Sequence, residues 1–130
     1  MPLVDANVIL RYLLNDHPVM SQEAREIILS GAETTPEILA EVVYVLRGVY
    51  KVDRPSIAAA LESFLQEITI AQKPAIRYAC RLFGTRSLDF VDCLLAGYHH
   101  MDGIEVITFD EKLGKALLND PLSPPPAEEP

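Results

Sequence analysis

The chain has 130 residues, enough for one domain of ~100–200 residues with a single core and too short for two. Apolar residues make up 49% and charged residues 23%, a balance that excludes general disorder. Nineteen Asp and Glu against eleven Lys and Arg leave a net charge of −8, which excludes a broad basic surface for nucleic acid, so any phosphate must be met locally. No apolar run approaches the ~18 residues of a membrane span, and Met1-Pro2-Leu3-Val4-Asp5 lacks the basic and apolar regions of a signal peptide. A cytoplasmic protein without membrane contact is expected. Cys80 and Cys93 show neither CxxC spacing nor the density of a disulfide scaffold, so they read as reduced, partly buried thiols and not as a zinc site.

In chain order, Leu3-Val4-Asp5 is a short β-prone run that leads straight into a helical pattern at 7–14. Further helical patterns occupy 21–30, 36–50, 55–67, 74–84, 89–101 and 111–118. Ser21 is a candidate cap for the second helix, Thr35 with Pro36 for the third, and Pro55 and Pro74 suit first helical turns. Ile104-Glu105-Val106-Ile107-Thr108-Phe109 is a second β-prone run, and Glu33 to Thr35 and Ile68 to Ala71 are candidates for two more strands. The expected fold is α/β, a small, mainly parallel sheet flanked by helices. The domain is expected to occupy 1–119. Half of the ten prolines fall at or after Pro121, so 120–130 is expected to be a mobile proline-rich tail.

Charge is unevenly distributed. Residues 47–86 carry seven basic and three acidic side chains, while the flanking thirds are acidic. Lys73, Arg77 and Arg81 recur every four residues, with Arg86 just beyond, so they form either a solvated helix face or a row of phosphate contacts for RNA. Asp5 and Asp110 each close a β-prone run, where ligands gather in an α/β sheet and where a helix N-cap is also wanted. Glu41 borders an apolar stripe formed by Ile38, Val42, Val45 and Val49, which implies partial desolvation. Asp89 and Asp92 share a helix face with the small residues Cys93, Ala96 and Gly97, and Asp89 also suits the N-cap. Phe90, Val91, Leu94, Leu95 and Tyr98 fill the opposite arc. Acids from separate elements repel unless a cation sits among them, and oxygen-only ligands suit Mg²⁺ or Mn²⁺. His99 lies about 10.5 Å along the helix from Asp92, too far to share an ion, and with His100 reads as a C-terminal residue favoured by the helix dipole.

Asp5-Ala6-Asn7-Val8-Ile9-Leu10-Arg11-Tyr12-Leu13-Leu14, the Glu41 helix, Leu88-Asp89-Phe90-Val91-Asp92-Cys93-Leu94-Leu95-Ala96 and Ile107-Thr108-Phe109-Asp110 together resemble PIN-domain proteins, specifically VapC-like toxins of toxin–antitoxin pairs. The resemblance covers residues 1 to about 118. It implies a parallel sheet of order 3-2-1-4-5 and a Mg²⁺- or Mn²⁺-dependent endoribonuclease. It also implies that Asp5, Glu41, Asp92 and Asp110 form the acidic site, with Asp5, Asp92 and Asp110 as metal ligands. Asn7 and Thr108 are then polar supports and Asp89 an acid at the site's edge. A cognate antitoxin is implied as partner, and the surplus of apolar residues in Val8 to Leu14 and in 36–50 suits a partner groove or a homodimer contact.

Two other readings stand beside it. A phosphate-signalling receiver domain needs a phosphoacceptor Asp on a central strand, which is missing here, although Lys112 is available. A non-catalytic binding module on a PIN-like scaffold would keep the acids for structure alone. A dehalogenase-like phosphatase is disfavoured, because Asn7 stands where its second Asp belongs.

Overall fold

The structure, a computed structural model, describes residues 1–123. Among these residues seven helices succeed one another: α1 (Ala6–Leu14), α2 (Pro18–Leu29), α3 (Pro36–Gly48), α4 (Arg54–Leu65), α5 (Lys73–Thr85), α6 (Phe90–Asp102) and α7 (Glu111–Leu118). Most starts have a local chemical cause. Thr35 Oγ1 accepts from Ile38 N at 3.3 Å with Pro36 in the first helical position, as the sequence suggests. Asp53 Oδ1 accepts from Ser56 N at 2.8 Å, and that bond holds its carboxyl below the ordinary value. Helix α2 begins three residues earlier than expected, because His17 and not Ser21 is its cap. The His17 Nδ1 accepts from Met20 N at 3.0 Å and Pro18 takes the first turn. Ser21 is buried, and its hydroxyl accepts from His17 N at 3.2 Å.

The interior is built on α5, which packs between α4 and α6. Ile57, Leu61, Phe64 and Leu65 of α4 meet Ile76, Ala79, Cys80 and Leu82 of α5, and Cys93 and Ala96 of α6 complete the layer. Two glycines set the spacing. A Cβ at Gly97 would lie 2.4 Å from the Ala75 carbonyl oxygen, and one at Gly84 would lie 2.7 Å from Ala58 Cβ. The small residues of α6 therefore face α5, and its buried face is Phe90, Cys93, Leu94, Ala96 and Gly97. This corrects the expected apolar arc, since Val91 is exposed and Leu95 and Tyr98 are only partly covered. Both cysteines are fully buried and free, and burial foremost pushes each thiol up to about 12.

The sheet is vestigial. Two isolated parallel bridges place Glu33 between Leu3 and Thr69, supported by Val4 N donating to Glu33 O at 2.9 Å and Thr69 N to Ala32 O at 3.0 Å. Residues 104–109 join no ladder among the described residues, so of the 3-2-1-4-5 order only the 3-2-1 part is seen, as these two bridges. Ile107 is 83% exposed and Phe109 wholly so. β-propensity measures fit to a half-buried pleated surface, and without a neighbouring strand it does not make a ladder.

The apolar surplus expected on α1 is largely absorbed. Ile9 and Leu10 are buried, and Val8, Tyr12, Leu13 and Leu14 pack against the core. On α3 the buried face is Leu39, Val42, Val43 and Leu46, one step round from the expected stripe, and Val49 is exposed. Of the segment expected as a tail, Asp120–Ser123 folds back on α5. The Tyr78 hydroxyl donates to Asp120 Oδ1 at 2.5 Å, and Leu122 N donates to the same oxygen at 3.0 Å. Residues 124–130 lie outside the described residues. Among the described residues no helix is long and apolar enough to cross a membrane.

Candidate active site

Asp92 is the one partly buried residue among the sequence-predicted acids. It lies in the first turn of α6, half-buried, one turn beyond Asp89. Burial foremost raises its carboxyl above the ordinary value, and the charges of Asp89 and Asp110 push in the same direction. Three carboxylates from the starts of α6 and α7 therefore sense one another, with no cation of the protein paired to Asp92 among the described residues. Asp89 occupies the N-cap position of α6 but makes no side-chain cap bond, contrary to the capping role expected for it. Its carboxylate is left for another partner.

Asp110 and Asp5 do cap their helices. Asp110 Oδ1 accepts from Leu113 N at 2.8 Å and Asp5 Oδ1 from Val8 N at 3.0 Å. A carboxylate has two oxygens with about four acceptor positions, so one cap bond leaves Oδ2 of each for a ligand. Capping and ligation are compatible here, though the sequence offers them as alternatives. Thr108 Oγ1 accepts from Asp110 N at 3.0 Å and so fixes the turn into α7.

Asp5, Glu41 and Asn7 are exposed, and neither Asp5 nor Glu41 adds to the repulsion at Asp92. The desolvation expected at Glu41 is absent, because the buried stripe of α3 is rotated away from it. Among the described residues no three His, Cys, Asp or Glu side chains stand close enough to hold a metal ion together. The donor chemistry of the acidic edge fits a hard divalent cation, but its spacing does not yet close a coordination shell.

A hollow of about 490 Å³ opens beside these acids between α3 and α6. Asp89 and Asp92 line it with Tyr44, Arg47, Arg54 and Val91, whereas Asp5, Glu41 and Asp110 do not. Arg54 is a residue that sequence reasoning passed over. A guanidinium in the first turn sits at the positive end of a helix dipole, an unfavourable place that signals another use for it. Its Nη1 donates to the carbonyls of Phe83, Arg86 and Leu88 at 3.1, 2.8 and 2.8 Å. Lys112, weighed only for the receiver reading, donates to the Ser87 carbonyl.

The basic row is mostly engaged within the protein. Lys73 Nζ donates to Ile68 O at 2.7 Å, Arg81 pairs with Glu62 at 2.5 Å, and Arg86 donates to the Pro121 carbonyl at 3.4 Å. Arg77 makes no ion pair among the described residues. His99 and His100 bond the carbonyls of Ile104 and Ala116 at 2.8 and 2.7 Å, which ties the end of α6 to the start of the open connection and to α7.

Asp5, Asp89, Asp92 and Asp110 thus all stand at helix starts. The chain belongs to the PIN domain family, which it matches over residues 3–116. It is also similar to a VapC ribonuclease of Aquifex aeolicus (strain VF5), with 31% identity over 130 residues, covering 92% of this chain and 96% of that relative. No solved structure matches it.

Proposed function

We propose that the protein is a Mg²⁺- or Mn²⁺-dependent endoribonuclease, the toxin of a toxin–antitoxin pair. The observation that carries this reading is the position of Asp92, half-buried and facing the charges of Asp89 and Asp110 without a compensating cation. Membership of the PIN family and likeness to a VapC ribonuclease support the same substrate class.

Asp92, Asp110 and Asp5 would hold the ion, the latter two through the oxygen that their caps leave over. When bound, such an ion lowers the pKa of a coordinated water and neutralises charge on the scissile phosphate. Glu41 would ligate the ion or orient the attacking water, and Asn7 would steady a ligand carboxylate by a hydrogen bond. Asp89 stands at the edge of the site. In-line attack of water on phosphorus would break the bond to the 3′-oxygen, which takes up a proton from solvent as it leaves, to give a 5′-phosphate and a 3′-hydroxyl. Arg77 is the residue of the basic row best placed to meet flanking phosphate, since its neighbours are bonded elsewhere.

Closing the coordination shell calls for the segment at 104–109 to pair along the outer edge of Leu3, which is 58% exposed. Its β-branched residues suit that pairing, which would complete a small, mainly parallel sheet and bring Asp110 towards Asp5. The domain proposed is 1–119 with the proline-rich stretch as a tail, in the cytoplasm, as a homodimer that an antitoxin inhibits. The test is cleavage of a panel of structured RNAs with and without Mn²⁺. Cleavage only with the ion is expected, and a panel left intact at millimolar Mn²⁺ contradicts the proposal. Co-purification with the product of a neighbouring reading frame tests the antitoxin.

A further inference from the structure

We propose that Arg54 and Lys112 form a two-sided clamp on the α5–α6 connection that holds Asp89 and Asp92 in place beside the start of α7. Its geometry stands alone, and its consequence for catalysis rests on the nuclease reading. Arg54, the first residue of α4, gives Nη1 to the carbonyls of Phe83, Arg86 and Leu88, all within 3.1 Å. Lys112, in the first turn of α7, takes the carbonyl between them, that of Ser87. Three carbonyls of one short connection, those of Arg86, Ser87 and Leu88, and a fourth from the last turn of α5, that of Phe83, thus point at two cations from separate helices. The guanidinium also lies over the Phe83 ring, 4.2 Å from its centroid, and Phe83 meets Phe90 edge-on at 5.8 Å. The last turn of α5 and the first turn of α6 are tied together through that stack.

Position gives the clamp its significance. Leu88 immediately precedes Asp89, whose uncapped carboxylate depends on the connection for its placement. Lys112 stands two residues after Asp110, so its bond to Ser87 sets the separation between the acids of α6 and the acid of α7. Arg54 lines the same hollow as Asp89 and Asp92. Arg54 and Lys112 are therefore positioning residues, acting on the carboxylates through the backbone between them. Charge-assisted bonds are the stronger class, and a planar guanidinium aligns several acceptors where an ammonium meets fewer.

The test compares Arg54→Gln, Arg54→Lys and Lys112→Met with the unmodified chain by two readouts. Hydrogen exchange of metal-free protein should speed up by about tenfold at amides 86–92 in Arg54→Gln and Lys112→Met, with α1 and α2 unchanged. Cleavage of a labelled RNA hairpin at saturating Mn²⁺ should lose about 10- to 100-fold in kcat with little change in KM, and Arg54→Lys should recover part of the loss. Should Arg54→Gln fail to fold, Lys112→Met, altered at an exposed side chain, decides the matter. Unchanged exchange at 86–92, or faster exchange with the unmodified kcat, overturns the clamp. An unmodified chain that cuts no RNA overturns the nuclease reading, and exchange then decides the clamp by itself.

Discussion

Helices α5 and α6 meet so closely that Gly97 has no room for a methyl group, whereas the connection after α6, residues 103–110, leaves Phe109 wholly exposed. Both regions are rich in apolar residues. In the first, side chains three and four apart on each helix find a partner face and become buried. In the second, alternating side chains have no neighbouring strand, so the same kind of residue stays in solvent. Asp92 belongs to the packed region and Asp110 to the end of the open one, so the acidic edge lies on the boundary between a packed support and a solvent-exposed one.

The largest effect should come from breaking the tight contact. Gly97→Ala places a Cβ against the Ala75 carbonyl, which is backbone and cannot swing aside. A loss of about 3 kcal/mol is expected, roughly a 10 °C fall in melting temperature by calorimetry. A change under about 0.5 kcal/mol would mean that α5 and α6 are further apart than described.

The next effect acts on the open region. Mn²⁺ at 100 times its dissociation constant should add about 2.7 kcal/mol if it binds the folded chain alone. Hydrogen exchange at 104–110 should slow at the same time. Stabilisation without slower exchange there would place the ion away from Asp110.

Removing the Tyr78 hydroxyl should matter less. Burial foremost raises the Tyr78 phenol, and Asp120 is held below its ordinary value because its hydrogen bonds outweigh the opposing effect of burial. Tyr78→Phe should cost about 1 kcal/mol and free Asp120–Ser123 to exchange, while equal protection of that turn in both proteins would dissociate it from Tyr78.

A pH series sharpens the comparison further. The raised carboxyl of Asp92 favours its protonated form in the folded chain, so its contribution to stability is present in acid and lost as pH rises through the native value. Without metal, Asp92→Asn should therefore melt above the unmodified protein at neutral pH, and the gap should close in acid. A constant gap from pH 4 to 7.5, read by circular dichroism in EDTA, would remove Asp92 from the strained set.

The smallest effect is expected in the open segment itself. Phe109→Ser should alter metal-free stability by less than about 0.5 kcal/mol, because its ring contacts solvent. A larger loss in urea melts would show the segment to be packed already.

The helices were legible because each has a 3.6-residue apolar period and most have a capping residue, as with Thr35 and Pro36. The start of α2 was not, since a histidine cap with proline after it is a weaker signal than a serine. The acids at helix starts could be read as residues, but two facts about them could not. Glu41 lies outside the buried stripe of α3 because packing chose Leu39, Val43 and Leu46 over Ile38, Val45 and Val49. The bonds from Arg54 and Lys112 depend on carbonyls more than twenty residues away in sequence, and nothing in a linear pattern announces them.

Cleavage of one structured RNA by the unmodified protein and by Asp92→Asn, each titrated with Mn²⁺ from EDTA-treated stocks, tests the central claim most directly. The account predicts cleavage that rises with Mn²⁺ in the unmodified protein and none in Asp92→Asn at any concentration, with both proteins folded by circular dichroism. Equal rates in the two proteins, or cleavage that persists in EDTA, would contradict it.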